Sequence, residues 1–423
     1  MNESGTRYRE HLDSNYPRVS NAFPDWLVMP LGVTRDVWTK IGYFRYLVLA
    51  VLMWFIPVLM DADFIGQIPI LKYLEGGFGK SVLFLTGVWI LLAIGLNVVV
   101  GLAGLLDLGY VAFLMLGAYT TALMTASGSA DQFHFVVWPT WAVLPVAIIV
   151  AMLAGAALGI PTLRLRGDYL AIVTLGFHEI VRQTLNNISI TNGSRGIFGI
   201  PHPTFNMFGI NYEFGLDAGP YWQYLLVPAI IGAIIMIRHL EHSRVGRYWT
   251  AVREDEVAAS AMGVPVVKMK VAAFVIGAST SGLAGWIYAV KFNFISPNNF
   301  PLLSSILVLS AVVVGGLGSI AGAVLGAVLV IMLPEIVRQA SGGAEIFGFD
   351  IETGRIAVFG LLLIIVMIFR PGGILVAKRR RTELSEAGAA DDLGAAGLEI
   401  GDDRAVDSPG DDVRSPSEGK SGD

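Results

Sequence analysis

Long apolar runs separated by short polar or charged clusters occupy most of the chain, and a helix needs about 20 mostly apolar residues to cross a hydrocarbon core. Runs of this kind cover Ile41–Met60, Val82–Gly101, Tyr110–Ala126, Trp141–Ile160, Tyr169–Leu185, Tyr221–Ile237, Val271–Val290 and Ile356–Phe369, and each predicts a helix. A longer stretch from Phe292 to Pro334 holds 43 residues without one Asp, Glu, Lys, Arg or His. As one straight helix it would be roughly 65 Å long, far more than a single crossing uses. Gly315, Gly316 and Gly318 offer a break, so the pattern predicts a hairpin of two shorter helices within Leu302–Leu333. The expected fold class is all-α and polytopic, with about ten transmembrane helices when both arms of the hairpin are included.

Lys and Arg report the sides of the membrane, because short cytoplasmic loops retain positive charge. Basic clusters fall at Arg7 to Arg45, at Arg164 and Arg166, at Arg238 to Lys270 and at Arg370 to Arg381. An even number of expected crossings separates each cluster from the next, which puts all of them on one side. Both termini are therefore expected in the cytoplasm, and the loops Asp61–Ser81 and Asn186–Pro220 outside. Residues 1–40 are polar and charged throughout, unlike a signal peptide, and read as a cytoplasmic arm with a short interfacial helix near Trp26 to Trp38. Residues 41–376 form the expected transmembrane domain. Beyond them the basic tetrad Lys378, Arg379, Arg380 and Arg381 suits anionic lipid headgroups. The remainder of 377–423 lacks the apolar residues to pack and reads as a disordered acidic tail.

Composition narrows the function. Hydrophobic residues make up 54% of the 423 and charged residues only 15%, with a mean hydropathy of +0.63, whereas soluble domains carry about 25% charged residues. That balance argues against a soluble enzyme. The absence of cysteine removes disulfides, thiolate metal sites, iron–sulfur clusters and a cysteine nucleophile. The net charge of −5 is set by the tail, where Thr382 to Asp423 holds 12 acidic residues against 3 basic ones and leaves the preceding residues at +4.

Apparent cofactor motifs fail on context. "GGFGKS" at Gly76–Ser81 resembles the end of a P-loop, but Leu74 stands where the leading glycine is required. "GLGSIA" at Gly316–Ala321 has the G-x-G-x-x-A form, yet lies in an uncharged membrane stretch with no acidic ribose partner. Gly318, Gly322 and Gly326 instead recur every four residues, as on a helix face that another backbone approaches closely. Sequons at Asn187 and Asn192 would matter only in a secreted eukaryotic setting. The six histidines are scattered without metal spacing, which argues against an integral membrane enzyme.

The segment Arg238–Lys270, "RHLEHSRVGRYWTAVREDEVAASAMGVPVVKMK", is the most informative part of the chain. Ala258, Ala259 and Ala261 combine helix propensity with little bulk, Gly263 suits a helix C-terminus, and Pro265 prevents continuation. Glu254, Asp255 and Glu256 sit toward the start of this short helix, where its dipole favours negative charge. A small, smooth helix with charged ends suits a groove on a partner, although an ordinary amphipathic loop helix has the same composition.

This segment resembles the coupling-helix loop of ABC-importer permeases, with "AASAMG" at Ala258–Gly263 matching the AA-x-x-x-G core. Val257 stands at the place of that motif's glutamate, a departure shared with the branched-chain amino acid subgroup. Further segments are similar to the same LivM-type permeases: "GLNVVVGLAGLLDLGYVAFLMLGAYTTALM" at Gly95–Met124, "LRLRGDYLAIVTLGFHEIVRQTLNN" at Leu163–Asn187, "TNGSRGIFGIPHP" at Thr191–Pro203 and "VVVGGLGSIAGAVLGA" at Val312–Ala327. The resemblance covers roughly Ile41 to Val376. It implies an ABC importer permease fold, a LivH-like second permease, two ABC ATPase subunits and a periplasmic substrate-binding protein. No cofactor is expected on this chain, since ATP and Mg belong to the ATPase subunits, and nothing points to nucleic acid. The implied cargo is leucine, isoleucine, valine and similar neutral amino acids, crossing the bacterial inner membrane. The related urea and short-chain amide importers form the alternative, from which "DLGYVAF" departs.

Polar residues inside a membrane are expensive and default to functional candidates. Asn97, Asp107, Tyr110 and Tyr119 surround a glycine-rich, broken segment where freed backbone amides could meet a zwitterionic substrate. They are the candidates for the translocation path, and the same residues would also serve as a polar packing network. His178, Glu179 and Arg182 are close on one helix, with Glu179 and Arg182 spaced to pair at a subunit interface or a gate. A proton-coupled secondary transporter, relaying protons through Glu179 and His178, is the competing reading from another class.

Overall fold

The computed structural model describes residues 77–126, 138–162, 167–207, 210–213, 222–341, 345–346, 349–350, 360, 364 and 373–375. The arm 1–40, the run Ile41–Met60, nearly all of Ile356–Phe369 and the tail 377–423 lie outside these residues. The helices are α1 (Gly77–Leu96), α2 (Val111–Thr125), α3 (Thr140–Thr162), α4 (Asp168–Asn187), α5 (Gln223–His242), α6 (Arg244–Glu254), α7 (Glu256–Ala261), α8 (Val266–Phe292), α9 (Leu302–Gly315) and α10 (Ile320–Ser341). Spans at Ser81–Leu102, Thr140–Pro161, Tyr224–His242, Val266–Phe292 and Pro297–Gly315 are long and apolar enough to cross a membrane, and α2 and the first part of α10 are shorter apolar helices. The chain is a multi-pass membrane protein. α4 is as long as its neighbours but carries Asp168, Glu179 and Arg182, so it falls below them in hydropathy.

α8 is the central element, packed along α3 and α2. Lipid tails are as apolar as leucine, so helices in a membrane associate through close contact more than through apolar burial. Small residues supply that contact. A Cβ at Gly282 of α8 would lie 2.6 Å from the Ala151 side chain and 2.9 Å from the Ala147 carbonyl, and one at Gly117 of α2 would meet the Gly282 carbonyl at 2.7 Å. Large buried groups fill the remaining space, and Trp286 donates its indole N–H to the Thr140 carbonyl at 2.9 Å.

The long uncharged stretch is broken where its glycines predict. α9 ends at Gly315 and α10 begins at Ile320. A Cβ at Gly322 would stand 2.5 Å from the Gly315 carbonyl oxygen, and one at Gly326 only 1.9 Å from the Ala311 carbonyl, so the two arms touch backbone to backbone. Gly318 is not on this face. It lies in the turn with φ +78°, a conformation that favours glycine. Ile374 and Leu375 then donate their amides to the Val314 and Gly315 carbonyls, both at 2.9 Å.

The all-α expectation needs one addition, because the described residues include three two-stranded sheets: β1 (Ile197–Phe198) with β4 (Phe294–Ile295), β2 (Thr204–Met207) with β3 (Ile210–Glu213), and β5 (Glu345–Ile346) with β6 (Phe349–Asp350). β1 and β4 are antiparallel, with Ile197 opposite Ile295, and the rings of Phe198 and Phe294 stack at 4.4 Å. They tie the segment after α4 to the end of α8. Runs this short leave no period that a sequence reading can detect.

Candidate functional site

Between α5 and α8 the chain builds a compact two-helix unit. Ser243 caps α6 by accepting the Val245 amide at 3.2 Å. Trp249, fully buried, donates its indole N–H to the Met269 carbonyl at 2.8 Å and so fastens α6 to the start of α8. Asp255 then breaks the helix in an extended conformation and caps α7, its Oδ1 accepting the Val257 and Ala258 amides at 2.7 and 2.9 Å. At the other end, the Val264 amide returns to the Ala259 carbonyl and the Gly263 amide to Ser260, a Schellman stop with Gly263 at φ +81°. Alanine at position 255 removes the cap and is expected to destabilise this unit by about 1 kcal/mol, with asparagine retaining most of it. Thermal unfolding of the purified protein would show this as a lower midpoint for Asp255→Ala than for Asp255→Asn.

The unit is held to the membrane helices at two further points. Lys270 of α8 is 5% exposed, and its Nζ stands 2.6 Å from Glu256 Oε1. The Arg253 guanidinium donates to the Gly101 carbonyl, and the Arg253 stem lies where a Cβ at Gly104 would fall. Of the residues singled out in the sequence, Asp255 thus caps α7, Glu256 ties it to α8, and Ala259 is buried against the fold while Ala258 and Gly263 are exposed. Glu254 closes α6 and is exposed. Val257 is 61% and Met262 84% exposed, giving α7 an apolar outer surface.

The second group lies where α1 gives way. Residues Asn97–Leu102 form a π-helical turn, with the Leu105 amide bonded to the Val99 carbonyl. Asn97 Oδ1 accepts the Gly318 amide at 2.8 Å, which joins this turn to the bend between α9 and α10. Asp107 Oδ1 accepts the Gly109 amide at 2.8 Å, and Tyr110 donates its hydroxyl to the Gly277 carbonyl at 2.6 Å, beside Thr280 Oγ1 at 3.2 Å. Asn97 Nδ2, Asp107 Oδ2 and the Tyr119 hydroxyl are buried without a hydrogen-bond partner among the described residues. All four side chains face the interior of this chain. Asn97 Oδ1 and Tyr110 are braced across helices, while Asn97 Nδ2, Asp107 Oδ2 and Tyr119 keep polar capacity in reserve. His178 is buried and Glu179 is turned outward to Arg182, so these neighbours project in different directions from α4. No group of three or more His, Cys, Asp or Glu that could hold a metal ion occurs among the described residues.

Comparison with known proteins fits this geometry. The profile of the family described as "Branched-chain amino acid transport system / permease component" matches residues 80–369. The chain belongs to that family. The high-affinity branched-chain amino acid transport system permease protein LivM of Escherichia coli K12 is 39% identical over 325 residues, covering 72% of each chain. LivM of Salmonella typhimurium is 38% identical over 324 residues with the same coverage. The LivH permease protein of Salmonella typhimurium is more distant, 25% identical over 295 residues that cover 67% of this chain and 90% of LivH. No solved structure matches. As a member of this permease family the chain is a transport subunit and not an enzyme.

Within the family framework, the residues that fix the α6–α7 unit in place are Trp249, Arg253 and Lys270, none of which the sequence singled out. Arg253 and Lys270 lie inside the segment that drew attention, but their partners Gly101 and Glu256 carry no mark of the pairing. Met262 was legible only as part of "AASAMG"; its exposure is what sets it apart in the structure.

Proposed function

We propose that this chain forms one half of the membrane path of an ABC importer for branched-chain and similar neutral amino acids in a bacterial inner membrane. The other half is a LivH-like permease. Two ATPase subunits bind ATP and Mg, and a periplasmic binding protein delivers the substrate. The observation that carries this reading is α7: a short helix, capped by Asp255 and stopped by Gly263, with Val257 and Met262 exposed and Glu256 pinned to α8 through Lys270. Glu254, Asp255, Glu256, Ala258, Ala259 and Gly263 are the coupling helix in this scheme, seated in a groove on an ATPase subunit. The anchors at Trp249, Lys270 and Arg253 would pass its displacement to α8 and to the π-helical turn.

In the same scheme Asn97, Asp107, Tyr110 and Tyr119, buried within this chain, form the polar network that backs the translocation path around that turn, and Gly322 and Gly326 pack the helix hairpin that turns at Gly318. The membrane domain at 41–376 crosses about ten times, with both termini in the cytoplasm. The outward placement of Glu179, away from His178, speaks against a proton relay between them. Leucine uptake into proteoliposomes is expected to require this chain, its permease partner, both ATPases, the binding protein and ATP. Uptake by this chain alone, driven by a proton gradient, would overturn the assignment.

A further inference from the structure

The faces that the membrane helices leave uncovered differ in chemistry. On α3 the exposed positions include Trp141, Ile149, Leu153 and Ile160, and the helix carries no charged residue. Such a face suits lipid tails. On α4 the outward face runs through Tyr169, Ile172, Gly176, Glu179 with Ile180, and Gln183, one step of three or four residues each time, with Gly176 and Glu179 half-buried. Tyr169, Ile172 and Ile180 are 71%, 65% and 67% exposed. A Cβ at Gly176 would meet nothing within 4 Å. Among these apolar groups the Glu179 carboxylate accepts Arg182 Nε at 3.0 Å and Nη2 at 2.7 Å, and Gln183 Nε2 at 2.9 Å. The side chains of Glu179 and Arg182 remain 40% and 26% exposed.

Glu179 lies about 16 Å along α4 from Asp168 at 1.5 Å per residue, well inside a helix of about 30 Å. In the proposed ten-crossing topology α4 spans the membrane, and charged side chains midway along such a helix are found facing a bundle interior or a water-filled route and not the hydrocarbon. The pair also has no net charge. It offers a carboxylate and a guanidinium about as far apart as the two charged groups of an amino acid, between isoleucines that suit an apolar side chain. Resting on the importer reading above, we infer that this face of α4 lines the route of a zwitterionic amino acid with an apolar side chain. The Glu179–Arg182 pair is its polar contact, and the second permease closes the route from the opposite side.

The absence of cysteine from this chain makes the test direct. In proteoliposomes holding the complete importer, single-cysteine variants Ile172→Cys, Gly176→Cys and Gln183→Cys are compared with Leu153→Cys on α3. Labelling by a charged, membrane-impermeant maleimide is read on the band of this subunit, using variants that retain ATP-driven leucine uptake. Modification of the α4 positions, slowed by leucine, with Leu153→Cys unreactive, is the expected result. Glu179→Gln is expected to reduce uptake by about tenfold with the ATPases still bound, as for loss of one charge-assisted contact, while Glu179→Asp restores most of it. Unreactive α4 cysteines, whether lipid-covered like Leu153→Cys or cross-linked dry to the second permease, would overturn the inference. So would uptake indifferent to Glu179→Gln. ATP-independent uptake by the unsubstituted complex would instead overturn the importer reading itself, so the two failures are separable.

Discussion

Tryptophan at position 263 is expected to stop ATP-driven leucine uptake while leaving the permease folded in the membrane. Gly263 holds φ +81° at the end of α7, and a Cβ there would meet nothing within 4 Å. Two effects separate cleanly at such a site. Any side chain strains the left-handed backbone by about 1–2 kcal/mol, a local penalty that alanine shares. Only a large side chain projects into the space that the ATPase groove occupies in the proposed assembly. Gly263→Ala should therefore lose little uptake, whereas Gly263→Trp should lose more than about tenfold, equivalent to at least about 1.4 kcal/mol at the subunit contact. Co-purification of the ATPase subunits and uptake in proteoliposomes check this together. Equal behaviour of the two variants would remove the groove from the account and leave only backbone strain.

A single methyl group at position 326 is expected to damage the fold itself. The Cβ of Gly326→Ala falls 1.9 Å from the Ala311 carbonyl oxygen and 3.1 Å from the Gly315 Cα, so the arms of the hairpin must separate. Forced overpacking of this kind costs about 1–3 kcal/mol, and here the obstacle is backbone that cannot rotate aside. Gly232 supplies the control. It lies within α5, where an added Cβ meets nothing within 4 Å, and alanine there should be neutral or stabilising by up to about 1 kcal/mol. Thermal unfolding of the purified permease in detergent, followed by tryptophan fluorescence, should lower the midpoint for Gly326→Ala and preserve or raise it for Gly232→Ala. A Gly326→Ala midpoint equal to that of the unsubstituted protein would mean that the hairpin is looser than described.

How far the sequence carried the reading depended on the range of each interaction. The apolar runs located α1, α2, α3, α4, α5, α8 and the two arms α9 and α10, because crossing a bilayer constrains composition residue by residue. The stop of α7 at Gly263 was legible as well, since it acts within a few residues of itself, whereas the acids at 254–256 marked the start of the helix without singling out Asp255 as its cap. The π-helical turn was marked only as a glycine-rich polar interruption. Its geometry depends on Asn97 reaching Gly318, 221 residues away, and on Arg253 reaching Gly101 across 152. Nothing local signals such pairs. Gly318 shows the same limit from the other side: its four-residue spacing to Gly322 and Gly326 suggested a helix face, whereas tertiary structure uses it in the turn. The outward turn of Glu179 and the inward turn of His178 likewise follow from which side of α4 meets the rest of the protein.

The guanidinium of Arg253 on the Gly101 carbonyl has a mechanical meaning. A π-helical turn houses one residue more than the α-helical register would, so it is stored slack in an otherwise taut rod. One clasp on that slack is a side chain from the very loop that is proposed to meet the ATPase. If the loop moved and the clasp opened, the turn would be free to rewind by one residue, swinging every side chain beyond it through about 100°. A short push on the outside of the membrane domain would then emerge in its interior as a rotation, and the rod would work less like a lever than like a ratchet pawl.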